Sequence, residues 1–227
     1  MNNCGASASA NERQVARLFW VFDVISPFAY LSLKQLPLLP AGASIECVPV
    51  LFAGLLNHFG QIGNAEIESK RRFTYRFVLW RARKLNIEMR FPPAHPFNPL
   101  AALRLIIAAG SDLQSIETVF DAIFKYGMDV SDSKVLADLA LKLGISKPDV
   151  VTNDPAMKLK LRQNTDWAIA HGVFGVPTFI VDDELFWGHD AFEMVLDYLR
   201  DPAQWRQRSR DLDRLPVGVT RPRRAGI

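Results

Sequence analysis

The stretch Gly172–Asp190, GVFGVPTFIVDDELFWGHD, restricts the fold of this chain more than any other. Gly172 and Gly175 break the approach, and Pro177 stands immediately before Thr178, Phe179, Ile180 and Val181, a β-branched and aromatic run suited to a buried strand. Asp182-Asp183 interrupts it, and Leu185, Phe186 and Trp187 resume it after Glu184, which predicts two strands joined by a two-residue hairpin. A proline that opens a strand gives up one ladder donor at a tolerated position. Val176-Pro177 is also where a tight turn can use a cis bond.

The other end of the chain supplies a complementary half. Leu18–Val24 is short and almost continuously apolar, as a strand covered on both faces should be. The period then changes at Asp23-Val-Ile-Ser26-Pro27, where Ser26 suits a helix N-cap and Pro27 a first helical residue. That helix runs to Pro37, and Ala43–Leu51 reads as a second strand, with Pro49 pointing to a sheet edge or an irregular end. Strand, helix and strand at this spacing form a βαβ unit with parallel strands. Between Phe52 and His171 the periodicity is helical, with helices expected over Ala65–Leu85, Leu100–Gly110, Leu113–Tyr126, Ser133–Gly144 and Ala156–His171. Gly110, Gly127, Gly144 and Gly172 fall where C-terminal caps belong. Ala191–Leu199 forms a last helix, and an irregular or partly helical tail is expected beyond Asp201. The fold class is therefore α/β: βαβ and ββα halves, residues 17–52 and 172–200, around an inserted helical domain, residues 53–171. A small, polar leader expected to be disordered (1–16) and an Arg-rich extension (201–227) complete the organisation, with one cleft between core and insert.

These landmarks resemble a known family. GVPTF before a hairpin is similar to the cis-proline segment of thioredoxin-fold proteins. GVFGVPTF…FWG-D together with WVFDVISPFAYL, Gly63-Asn64, Lys70 and PFNPLAALRL resembles the DsbA-like branch that holds 2-hydroxychromene-2-carboxylate isomerases and kappa-class glutathione transferases. The resemblance runs from about Leu18 to Leu199. It implies glutathione as cofactor and a small aromatic carboxylate as substrate, with conversion of 2-hydroxychromene-2-carboxylate to trans-o-hydroxybenzylidenepyruvate in aromatic hydrocarbon catabolism. It also implies a homodimer. A kappa-type transferase that conjugates electrophiles is the alternative within the family, and a non-catalytic binding module on the same scaffold is the alternative outside enzymes.

Ser26 is the first chemical expectation. From the local sequence alone it is a helix cap. The resemblance implies more: at the turn where dithiol relatives carry C-x-x-C this chain reads Ser26-Pro27-Phe28-Ala29, so no attacking thiolate of its own is present there. The serine is then expected to hydrogen-bond the glutathione thiol and favour its thiolate. Moving a thiol from about 8.5 into the neutral range takes roughly 2 kcal/mol. A hydroxyl donor to a charged acceptor supplies about 1.5–3 kcal/mol, and a helix N-terminus adds about 0.3–1 kcal/mol.

The resemblance assigns further glutathione contacts to Asn64, Lys70, Val176, Pro177 and Asp190. Val176 would offer backbone groups to a peptide in strand fashion. Lys70 would meet a carboxylate as a point charge, and Asp190 the γ-glutamyl ammonium, although by itself Asp190 reads as a helix cap. Phe97, Asn98 and Arg104, with His95 beside them in HPFNPLAALR, are the substrate-side residues. Phe97 would wall an aromatic pocket, Asn98 hydrogen-bond a substrate oxygen, and Arg104 face a carboxylate. Asn98-Pro99 is equally a natural helix entry, and Arg104 equally a surface ion-pair partner. Ala191 stands where the family commonly has arginine, which puts one glutathione contact in question, and His189 is a second local departure.

Composition closes off other classes. The 227 residues are 49% hydrophobic and 22% charged, enough to bury a real core, and the net charge of +3 demands no nucleic acid. Seven arginines crowd between Arg206 and Arg224. KRRFTYRFVLWRARK is basic and aromatic, but Phe73, Phe77 and Trp80 share one helical face while Arg72, Arg76 and Arg83 share another, so an amphipathic helix accounts for it. The first residues lack an apolar signal region and no stretch is long enough to span a bilayer, so a cytoplasmic protein with no membrane partner is expected. Cys4 and Cys47 form no C-x-x-C pair, and His58, His171 and His189 lack metal-ligand spacing, so no metal is expected.

Overall fold

A computed structural model describes residues 17–219. The leader and the last eight residues of the Arg-rich extension lie outside the described residues. Four strands form one mixed sheet in the order β2-β1-β3-β4: β1 (Arg17–Phe22), β2 (Ser44–Pro49), β3 (Thr178–Val181) and β4 (Glu184–Trp187). β1 pairs parallel with β2 and antiparallel with β3, and β3 pairs antiparallel with β4. The crossover between β1 and β2 is α1 (Pro27–Gln35). Pro49 lies in β2, an edge strand, where a missing donor costs the ladder least. The Asp182-Asp183 hairpin takes φ of 48° and 69°, the left-handed pair that a two-residue turn of matching twist requires.

The pleat of β1 divides the core. Leu18, Trp20 and Phe22 point to one face, where they join Phe179, Val181 and Phe186 and are covered by Tyr30 and Leu33 of α1 and by the helices α4 (Leu100–Ala108), α5 (Leu113–Phe120) and α9 (Phe192–Arg200). Val21 points to the other face with Val48 and Ile180, beneath Leu55 of α2 (Phe52–Phe59) and Ala168 of α8 (Pro155–Ala170). One-residue alternation thus dresses both faces of a short sheet. The two halves and the helical block between them make a thioredoxin-like fold with an inserted helical region, as expected.

The helical block is richer than its periodicity indicates. α3 spans Glu68–Lys84 after a 3₁₀ turn at Asn64–Glu66, and α6 spans Ser133–Lys142. α5 passes into a π-helical turn, Asp121–Lys125, instead of continuing as one α-helix to Tyr126. Two helices lie where the sequence predicts none, α2 and the six-residue α7 (Pro148–Asn153). In the tail, expected to be irregular or partly helical, α10 (Pro202–Ser209) forms: Trp205 packs its ring 5.4 Å from Phe186, and Arg206 donates to the Tyr198 hydroxyl. Among the described residues no helix is long and apolar enough to cross a membrane.

Candidate active site

Ser26 caps α1 from an extended backbone, with Pro27 following as the first helical residue. Its Oγ accepts from the Ala29 amide at 3.3 Å and donates to the Val176 carbonyl at 3.4 Å. Both bonds are long, so the hydroxyl is held in place without being strongly engaged. Val176-Pro177 is cis. The loop it belongs to fits closely against β4, since a Cβ on Gly175 would run into the Trp187 indole. Ser26 and Val176, 150 residues apart, are thereby brought together at the N-terminus of α1.

Two further segments reach this turn. His189, on the loop between β4 and α9, stacks on Phe28 with ring centroids 5.3 Å apart and an interplanar angle of 17°. Phe77 of α3 packs on the same Phe28 at 6.1 Å. The neighbouring Asp190 is exposed, and Gly188 (φ +101°) gives it room, because a Cβ there would collide with the Asp190 carboxylate. Burial lowers the His189 pKa, the Asp190 charge works against that and Arg81 with it, and neither ring nitrogen has a hydrogen-bond partner.

From the helical side comes the segment before α4. His95 Nε2 meets the Ile25 carbonyl at 2.7 Å, so Nε2 carries the proton, and Nδ1 faces the Tyr75 hydroxyl at 2.8 Å. Burial pulls the His95 pKa below its usual value, the bond to Ile25 opposing. Phe97 lies two residues on, half-buried, its ring 5.9 Å from His95.

Asn64 is exposed in the 3₁₀ turn before α3, and Lys70 is exposed in the first turn of α3, the helix that carries Phe77 toward Phe28. Asn98 is also exposed, and its Oδ1 accepts from the Leu100 amide at 3.1 Å, so its side chain starts α4. Arg104 is turned toward α7, where its guanidinium donates to the Thr152 carbonyl at 3.0 Å.

Sequence reasoning passed over one buried acid. Asp23 directly follows β1 with no exposed surface; its Oδ1 accepts from the Ile25 amide at 3.0 Å and its Oδ2 from the Phe52 amide at 2.8 Å. Burial pushes its pKa up to about 7, the two amides pulling the other way. The signal was available: Asp23 is the lone acid of an otherwise apolar run. Among the described residues no three His, Cys, Asp or Glu side chains group as a metal site.

The Ser26 hydroxyl is thus lightly engaged at a helix N-terminus beside a cis-proline, while the Asp190 carboxylate and the Lys70 ammonium are exposed on the β4–α9 loop and on α3.

Known proteins are similar to this chain in sequence and fold. A 2-hydroxychromene-2-carboxylate isomerase from Sphingobium xenophagum is 28% identical over 187 residues, covering 79% of this chain and 96% of that one. Glutathione S-transferase kappa 2 from Caenorhabditis elegans is 26% identical over 212 residues, covering 84% and 93%. A solved 2-hydroxychromene-2-carboxylate isomerase superposes with a TM-score of 0.73 at 24% identity, over 88% of this chain and all of the other. The model of the DsbA-like thioredoxin domain matches residues 18–200, four-fifths of the sequence, and the chain belongs to that family.

Proposed function

We propose that this chain is a glutathione-dependent isomerase of 2-hydroxychromene-2-carboxylate or a closely similar ring acid. The observation that carries the reading is a serine at the N-cap of α1, with its Oγ 3.4 Å from the carbonyl of the cis-proline loop. A serine there cannot exchange disulfides, but it can donate to a thiolate held between the helix start and that loop.

When bound, glutathione supplies the nucleophilic sulfur that adds to the conjugated ring and departs unchanged, splitting one rearrangement into easier steps. The residues of this chain do the holding. Ser26 swings its weakly committed proton from the Val176 carbonyl to the sulfur. Val176 offers its freed carbonyl to the peptide, Asp190 takes the ammonium end, and Lys70 and Asn64 take a carboxylate end. Phe97, beside His95, forms the wall toward the aromatic acid, with Asn98 at its edge. With the bond to Val176 given up, the serine and the helix end together supply about 1–3 kcal/mol toward the thiolate, a range that spans the roughly 2 kcal/mol required.

The similarity to a kappa transferase favours a second reading, conjugation of electrophiles at the same thiolate site. One experiment separates them. Conversion of 2-hydroxychromene-2-carboxylate is followed by ultraviolet absorbance with and without glutathione, while total free thiol is assayed. Glutathione-dependent conversion at constant thiol supports the isomerase. Thiol consumed in step with a generic electrophile, without ring conversion, assigns the site to a transferase.

A further inference from the structure

Asp23 is a fully buried acid at this site for which the proposed chemistry gives no reason. A carboxyl with no exposed surface is costly unless the structure needs what it holds. What it holds is specific. Oδ1 accepts from the Ile25 amide at 3.0 Å, Oδ2 from the Phe52 amide at 2.8 Å, and the Asp23 carbonyl accepts from the Ser26 amide at 3.0 Å. Phe52 opens α2, whose N-cap position is Leu51, a residue without a capping side chain, so Asp23 caps that helix from across the fold. One carboxyl therefore ties the turn bearing Ser26 to the start of a second helix.

We infer that Asp23 is a positioning residue for the chemistry at Ser26, its carboxylate bracing the Ile25-Ser26 turn against α2 so that the Ser26 hydroxyl is presented beside Val176. The brace stands on the geometry alone; its consequence for the thiol rests on the glutathione reading. Ionised, both oxygens accept, and bonds from amides to a charged acceptor are about twice as strong as neutral ones. Protonated, one oxygen becomes a donor with an amide N–H directed at it, and the brace loosens. The titratable groups facing this turn are Asp23 from the core, His95, backed by Tyr75, from the helical side, and His189 against Phe28, flanked by Asp190 and Arg81. Burial raises the Asp23 pKa to about 7 and lowers those of His95 and His189, so near neutral pH Asp23 is the group of the three that changes charge.

The test follows the amide NMR resonances of Ile25, Ser26 and Phe52, with the side-chain carboxyl carbon of Asp23, across neutral pH in the wild type and in Asp23→Asn. The three amides are expected to titrate with the midpoint of the Asp23 carboxyl, and to be silent in the variant. In the glutathione complex, the thiolate absorbance of Asp23→Asn at neutral pH is expected to fall about fivefold, the worth of one such bond. A Ser26 amide that ignores the carboxyl's titration overturns the inference, as does a variant with unaltered Ser26 resonances and thiolate. The wild-type titration alone decides the brace if Asp23→Asn does not fold. If the wild type forms no glutathione thiolate, the functional reading fails, while the co-titration of Ser26 still establishes or refutes the brace.

Discussion

Ser26→Ala is the substitution in which capping and catalysis come apart. The hydroxyl accepts from Ala29 at 3.3 Å and donates to Val176 at 3.4 Å, so its removal costs one N-cap and one weak bond, about 1–2 kcal/mol in all. For a chain of this size that is a fall in Tm of about 3–6 °C. The effect on chemistry is worked separately. In the complex the hydroxyl gains a bond to a charged acceptor, about 1.5–3 kcal/mol, and gives up the neutral bond to Val176, about 0.5–1.5 kcal/mol. The net of about 1–2 kcal/mol corresponds to a thiol pKa raised by about one unit and a thiolate population at neutral pH lowered about tenfold. Ser26→Thr keeps the hydroxyl and a fair cap, so it is expected to retain most of both. The assay pairs thermal unfolding with turnover and thiolate absorbance at saturating glutathione. If Ser26→Ala loses the expected stability but turns over within about threefold of the wild type, well short of the factor that bond implies, Ser26 is a cap and the thiolate reasoning is wrong.

Three further outcomes follow from the same geometry. The Asp23 pKa is raised from 3.8 to about 7 in the folded state, so the stability it contributes is full below about pH 4 and is lost as pH rises through about 7. The stability of Asp23→Asn relative to wild type, measured by urea unfolding, should therefore improve by about 4 kcal/mol between those pH values; a flat difference contradicts the burial argument. Asp190 is exposed, so Asp190→Asn should leave unfolding unchanged while raising KM for glutathione about threefold to fivefold, with KM for the aromatic acid unmoved. Arg104 donates to the Thr152 carbonyl, so Arg104→Met should cost about 1–2 kcal/mol of stability and leave the aromatic acid's KM unchanged. A KM increase beyond about tenfold, the equivalent of about 1.4 kcal/mol, would instead return Arg104 to the substrate, one of the two roles its sequence context leaves open.

What was legible in the sequence, and what was not, divides along one physical line. The hairpin, the Ser26-Pro27 start of α1 and the proline before β3 are products of neighbours in the chain: alternation, a local cap, a φ that only some residues accept. All three read directly. α2 has no such signal, because the group that satisfies its first amide is Asp23, 29 residues away. α7 has only six residues, too few to show a period. α10 had its local start, with Asp201 accepting from the Gln204 amide at 2.9 Å and Pro202 following. Its arginines hide that start, and what secures the helix is Trp205 on Phe186, a tertiary contact.

The site divides in the same way. Ser26, Val176 and Pro177 carry their geometry in their own turns. Asp23, His95 and Arg104 act on backbone groups of Ile25, Phe52 and Thr152, and a backbone amide or carbonyl has no residue identity for a pattern to register. Nor can one letter show that Asp23 is buried without charge compensation, since its cost and its use both come from segments that meet only in the fold. The consequence is chemical. A site braced through backbone atoms keeps its shape when the reactive side chain changes, because none of the braces depends on what stands at position 26. On the glutathione reading proposed above, a thiol nucleophile of the protein's own is exchanged for a hydroxyl that serves a borrowed one, with the turn, the cis-proline loop and the helix end left in place.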